Sequence, residues 1–214
     1  MQPAAAELEW CHSPAELRPG ELRVFDLPVM QAWEASYLEA LARAASESGG
    51  AVLEVGYGLG VATALIQANP AVSNHLVVEC HPDIAVQCIA TWRESLATQR
   101  MHVIIGLWHQ VAPKLPSSAF DGILYSTYAL PPGEGCAGEL AFFPEAFRLL
   151  RPGGIFTYYA DHPNRLTAAH RERLDQAGFT MEHVREVVCA VEPPPDCGYW
   201  QASTIVAPIV RKHE

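Results

Sequence analysis

An apolar run that breaks into glycines, Ala51-Val-Leu-Glu-Val-Gly-Tyr-Gly-Leu-Gly60, limits what this chain can fold into more than any other stretch. Its apolar residues read as a buried strand, and Val61-Ala-Thr-Ala-Leu-Ile-Gln67 after it carries helical spacing. A buried strand that feeds a helix through a tight glycine turn is the opening unit of a parallel α/β sheet. Gly56 and Gly58 let a ligand approach the backbone, because no Cβ stands in the way.

The next strand, His75-Leu-Val-Val-Glu-Cys80, puts Glu79 at its carboxyl end, about 20 residues on, where an acid accepts hydrogen bonds from ribose hydroxyls. The loop lacks the third glycine of a dinucleotide fingerprint, since Val61 stands there, and it lacks the Gly-Lys-Ser/Thr of a phosphate loop. The remaining common user of this geometry is S-adenosylmethionine (SAM). A glycine turn with no ligand is the other reading of the same residues.

Residues 1–27 read as an amino-terminal segment in which Pro3, Pro14, Pro19 and Gly20 block a long helix. Trp10 stands alone there, either a surface plug or an aromatic that closes over a ligand. Residues 28–214 read as one domain. Met30, Trp33, Tyr37, Leu38, Leu41 and Ala45 follow i, i+3, i+4 spacing and predict a helix from Pro28 to Ser48, with Glu34 beside the stripe. Asn69-Pro70 stops the helix after the glycine loop, and His81-Pro-Asp83 opens another that runs towards Thr98. Met101–Ile105, Phe120–Tyr125 and Ile155–Tyr159 predict strands; Phe142–Leu150 and Asn164–Ala177 predict helices. Pro131–Gly138 reads as a loop that acts as a lid. Val184–Val191 and Thr204–Val210 have no helix between them, so they should pair antiparallel, the second as an edge strand open to dimerisation.

The expected fold is α/β: a Rossmann-like, mostly parallel twisted sheet of about seven strands with helices on both faces, closing in an antiparallel β-hairpin. Ligands of such sheets bind beyond the carboxyl ends of the strands, and Gly56, Gly58, Glu79, Trp108 and Ser126 all fall at such ends.

The net charge of −10 argues against a nucleic-acid groove, which needs clustered Lys and Arg. No apolar run reaches membrane-spanning length, and the amino terminus has no basic-then-apolar signal pattern. The six cysteines show no C-x-x-C spacing and no His cluster beside them, so neither a metal nor a disulfide framework is expected. Free thiols in a reducing cytoplasm are the preferred reading.

Several stretches are similar to the guanidinoacetate N-methyltransferases, a family within the class I SAM-dependent methyltransferases. They are Pro28-Val-Met-Gln-Ala-Trp-Glu34 with Tyr37, Val52-Leu-Glu-Val-Gly-Tyr-Gly58, Val78-Glu-Cys80, Gly106-Leu-Trp108, Val111-Ala-Pro113, Phe120-Asp-Gly-Ile-Leu-Tyr125, Ala146–Gly154 and Pro194-Pro-Asp-Cys197. The resemblance implies a SAM site lined by Gly56, Gly58, Glu79, Cys80, Leu107, Trp108, His109 and Ser126, with Met30 and Leu38 packed near the cofactor and Trp10 closing over it. It also makes Glu34 the anchor of a guanidinium, with Trp33 and Tyr128 beside it. The implied partner is a small guanidino compound bound by a monomer or homodimer, and the implied product is S-adenosylhomocysteine.

One departure matters. Where the family has an aspartate after Leu-Tyr, this chain has Ser126, a neutral hydroxyl that is a poor base without an activating partner. Losing that charged partner to a buried guanidinium costs about 2–5 kcal/mol if nothing compensates. Three readings follow. Another acid takes the role for a different guanidino compound, from Glu134, Glu139, Asp161 or His162; or the acceptor is a less basic amine; or the protein binds SAM without catalysis. The first is preferred, because sites on a shared fold diverge in substrate before they lose chemistry. A composition rich in Ala, Pro and Arg is compatible with arginine-derived antibiotics of the blasticidin type.

Overall fold

In the computed structural model, which describes residues 5–127 and 138–213, the chain begins with a layer that the proline and glycine content conceals. A short helix α1 (Ala5–His12) leads into β1 (Ala15–Arg18), β2 (Glu21–Val24) and β3 (Leu27–Gln31), an antiparallel meander in the order β1-β2-β3. Its second turn places Phe25 and Asp26 at φ +54° and +57°, the paired left-handed residues of a two-residue hairpin. Here the expected helix from Pro28 is corrected: Pro28 lies in β3, an edge strand that tolerates a missing N–H, and helix α2 begins only at Ala35 (Ala35–Ser46).

The glycine-loop strand is β4 (Gly50–Val55), followed by α3 (Val61–Ala68), β5 (Val72–Glu79), α4 (Pro82–Thr91), α5 (Arg93–Ala97) and β6 (Met101–Ile105). The helix expected from His81 to Thr98 is thus broken at Trp92, where the backbone leaves helical geometry. Then come α6 (Trp108–Val111), β7 (Phe120–Tyr125), α7 (Gly138–Leu149), β8 (Leu150–Tyr158), α8 (Ala168–Ala177), β9 (Val184–Ala190) and β10 (Thr204–Arg211).

Among the described residues the main sheet has seven strands in the order β6-β5-β4-β7-β8-β10-β9. β4 pairs in parallel with β5 on one side and β7 on the other, so the chain switches direction across the sheet at that boundary. β9 and β10 pair antiparallel, as expected. The edge-strand expectation for 204–210 is overturned: β10 lies between β8 and β9, and β9 forms the edge. Burial explains the order. Ile205, Val206, Ala207 and Val210 are all buried, whereas no residue of β9 is fully buried and Arg185, Val188 and Ala190 are exposed.

Strand residues alternate between two cores. Val52, Val77 and Leu124 face a cluster with Tyr37 and Leu41 of α2 and Ile66 of α3. Leu53, Val78 and Ile123 face the opposite cluster, with Phe142, Phe143 and Leu174 of α7 and α8. The sheet is therefore covered on both faces.

Helix α2 lies very close to the sheet. A Cβ on Gly122 of β7 would stand 1.7 Å from the Ala45 carbonyl oxygen, so only glycine fits under the helix there. Farther along the same helix the buried Tyr37 hydroxyl donates to the Val206 carbonyl at 3.1 Å and accepts from the Ala160 amide at 2.9 Å, which ties α2 to the ends of β8 and β10. No helix among the described residues is long and apolar enough to cross a membrane.

Candidate active site

A cavity of about 670 Å³ opens beyond the carboxyl ends of β4, β5 and β7. The glycine loop forms one wall. Gly56 has φ +91°, and a Cβ on it would lie 2.0 Å from the Ser126 carbonyl oxygen; the loop can take this path only with glycine. Gly58 has φ +55° and packs against the Met30 sulfur, which accepts a hydrogen bond from the Leu59 amide at 3.2 Å.

Glu79, at the end of β5, is held by two backbone donors: Tyr57 N–H to Oε2 at 2.9 Å and His81 N–H to Oε1 at 2.8 Å. The Cys80 thiol hydrogen-bonds the same carboxylate, and a carboxylate offers about four lone-pair sites, so room remains for a ligand hydroxyl. Burial raises its pKa against the pull of those two amides. Behind the loop, Glu54 Oε2 accepts from the Thr63 hydroxyl at 2.7 Å and lies 3.0 Å from His75 Nε2. Its other oxygen, Oε1, is buried without a hydrogen-bond partner among the described residues, and Glu54 lines the cavity.

The opposite wall is built around Glu34, at the entry to α2. Its side chain is only 4% exposed; Oε1 accepts from the Gln31 amide at 2.8 Å and from the Tyr199 hydroxyl at 2.7 Å, and Tyr159 donates as well. Burial raises the Glu34 pKa, and these three donors pull it back down. The two tyrosines are pushed up in turn, first by burial and then by the charge of Glu34. Asp161, just after β8, lines the same cavity, as do Ser126 and Thr127.

The amino-terminal layer supplies Glu7, Trp10, Leu22 and Leu27 to the lining. It is pinned by His81 Nε2 to the Ser13 carbonyl at 2.7 Å, by the Ala15 amide to Asp83 Oδ2 at 3.3 Å and by Glu7 to His109 at 3.2 Å. The Cys11 thiol of α1 hydrogen-bonds with that of Cys80, which lowers the Cys11 pKa; the same bond and burial raise that of Cys80.

Of the residues singled out from sequence, the structure brings Trp10, Met30, Glu34, Leu38, Gly56, Gly58, Glu79, Cys80, Leu107, Trp108, Ser126 and Asp161 to this one cavity. Three are not in its lining. Trp33 donates to Gln31 and packs on Tyr199, His109 turns towards Glu7, and His162 lines a separate groove with Pro163 and Asn164. Tyr128, Glu134 and the loop expected over 131–138 lie outside the described residues, apart from Gly138 at the start of α7, and so does the side chain of Glu139. Sequence reasoning missed Glu7, Tyr57, Tyr159 and Tyr199. The Pro194–Cys197 motif just before Tyr199 was the one local signal for it.

A glycine loop and a strand-end carboxylate at the switch point of this seven-stranded sheet define a Rossmann-like methyltransferase fold. The fold is shared at a TM-score of 0.64 with a spermidine synthase from Thermotoga maritima, 13% identical, with 90% of this chain and 65% of that one covered. It is shared at 0.54 with the cofactor-bound Rv0187 from MTB, 17% identical, with 98% and 89% covered. The chain belongs to the guanidinoacetate N-methyltransferase family, whose profile matches residues 4–213. A protein arginine N-methyltransferase 2 of Yarrowia lipolytica is 31% identical over 140 residues, which take in 61% of this chain. The match spans 28% of that relative's length.

Proposed function

We propose that this protein is a SAM-dependent N-methyltransferase that acts on a guanidino nitrogen of a small arginine-derived compound other than guanidinoacetate. The observation that carries this reading is Glu34, a buried carboxylate held by Tyr199 and the Gln31 amide, facing the same cavity as the glycine loop.

The residues fit the cofactor. Glu79 has room left for a ribose hydroxyl, and the orphaned Glu54 Oε1 offers an acceptor at the cavity wall. When bound, SAM supplies an electrophilic methyl group on a good leaving group. The protein's own work is orientation, exclusion of water and removal of one proton. A guanidinium has no free lone pair aimed at an electrophile, so one nitrogen must lose its proton as it attacks. Glu34, with about one lone-pair site left beside its three donors, meets the guanidinium through a charge-assisted hydrogen bond. Its burial-raised proton affinity also suits it to take the proton. Ser126, where the family has an aspartate, adds a neutral contact at most, which speaks against guanidinoacetate itself. A place in blasticidin-type antibiotic assembly belongs to the same proposal and rests on composition alone.

Purified protein and SAM, presented with guanidino compounds and matched plain amines, should add one methyl mass to guanidino compounds alone. Methylation confined to the amines would overturn the acceptor class. Silence throughout, with SAM binding shown by calorimetry, would overturn methyl transfer.

A further inference from the structure

Two five-residue stretches face each other beside the cavity. Residues 79–83 run from the end of β5 into α4, and residues 11–15 run from the end of α1 into β1. The Cys11 thiol hydrogen-bonds with that of Cys80, His81 Nε2 meets the Ser13 carbonyl at 2.7 Å, and the Ala15 amide donates to Asp83 Oδ2 at 3.3 Å. A carbonyl can only accept, so Nε2 of His81 carries a proton. The ring is buried, and its other nitrogen, Nδ1, has no hydrogen-bond partner among the described residues.

His81 also serves the cofactor wall. Its amide donates to Glu79 Oε1 at 2.8 Å, so its backbone orders that carboxylate while its side chain holds the amino-terminal layer. The layer in turn carries Trp10, Leu22 and Leu27 into the same lining as Glu79. A ligand that bonds Glu79 beneath this layer steadies residues 79–83, and the layer resting on them is steadied equally, because coupling between two sites is reciprocal.

We propose that His81 is a positioning residue that couples cofactor binding to the seating of the amino-terminal layer, so that SAM leaves only as residues 11–15 lift away from residues 79–83. The proposal rests on the SAM reading above and is independent of the acceptor. Two variants separate this role from packing. Gln carries an amide N–H at the reach of Nε2, whereas Asn carries one only at the reach of Nδ1. Asn is also a favoured N-cap for α4, where the His81 side chain makes no capping bond, so His81→Asn should keep its fold.

The test follows S-adenosylhomocysteine on the full chain by stopped-flow tryptophan fluorescence, with Trp10 and Trp108 of the lining as reporters. His81→Asn should speed its dissociation by about tenfold with association little changed, and His81→Gln should stay within about threefold of wild type. The same ligand should slow amide hydrogen exchange across residues 5–18 in the wild type and in His81→Gln, and less so in His81→Asn. Equal dissociation rates in the wild type and His81→Asn, or layer exchange that the ligand leaves unchanged, would overturn the coupling and leave the SAM reading standing. A Gln variant as fast as the Asn variant would overturn the Nε2 hydrogen bond as its cause. Should His81→Asn not fold, the wild-type exchange and the Gln variant decide. Failure of the wild type to bind the ligand would sink the SAM reading and this proposal with it.

Discussion

The Tyr199 hydroxyl donates to Glu34 Oε1 at 2.7 Å, joining residues 165 positions apart. The connection between β9 and β10 thereby meets the residue that immediately precedes α2.

Tyr199→Phe removes one of the donors that pull the Glu34 pKa down. The acid limb of the pH–rate profile should then move to higher pH, and kcat/KM should fall by about tenfold. A limb that stays in place would show that Tyr199 does not tune Glu34.

Glu34→Gln should lower methyl transfer by at least about thirtyfold and leave SAM affinity within about twofold of wild type. It should also alter the pH dependence of stability. Burial raises the Glu34 carboxyl above its ordinary 4.5, so the folded state binds that proton more tightly than the unfolded chain does. The stabilisation this gives is full below the unfolded value and is lost as pH rises through the raised folded value. The wild-type thermal midpoint, measured against that of Glu34→Gln, should therefore decline as pH rises from the ordinary carboxylate value towards neutrality. A constant difference would mean that Glu34 titrates normally.

Glu79→Ala should weaken SAM binding by about tenfold to a hundredfold, because a carboxylate fixed by two amides presents its remaining lone pairs without further ordering. Calorimetry measures this directly. Unchanged affinity would remove the ribose role.

Cys11 should be alkylated fastest among the described cysteines. The Cys80 hydrogen bond lowers its pKa, while burial pushes Cys88 up to about 12 and also raises Cys189. Peptide mapping after brief iodoacetamide treatment checks the order, and faster labelling of Cys88 would contradict it.

Two strands were legible from sequence to the residue, one at the edge of the sheet and one inside it: Met101–Ile105 and Phe120–Tyr125 are short apolar runs bounded by breakers, and they form β6 and β7. The amino-terminal meander was not, because β1 and β2 have four residues each and β3 contains a proline. Met30 even fits the helical stripe of α2, though it belongs to β3. Glu34 drew attention only through its resemblance to a family, since periodicity makes it one more helix carboxylate. Its tyrosine partners are set by topology, and no local pattern announces a contact between residues 165 positions apart. Trp33, His109 and His162 lie beside cavity residues in sequence, and neighbours along a chain often point apart.

The glycine beneath α2 has a further consequence. Gly122 lets the helix rest against β7, and that helix begins next to Glu34, while the neighbouring strand β4 ends in the glycine loop. On the proposed function, the gap between acceptor and methyl donor is therefore gauged in part in the middle of the sheet, where a hydrogen atom on Gly122 takes the place of a Cβ. A longer or shorter reach across the cavity can arise by shimming the helix, with every residue that touches the substrate left as it is.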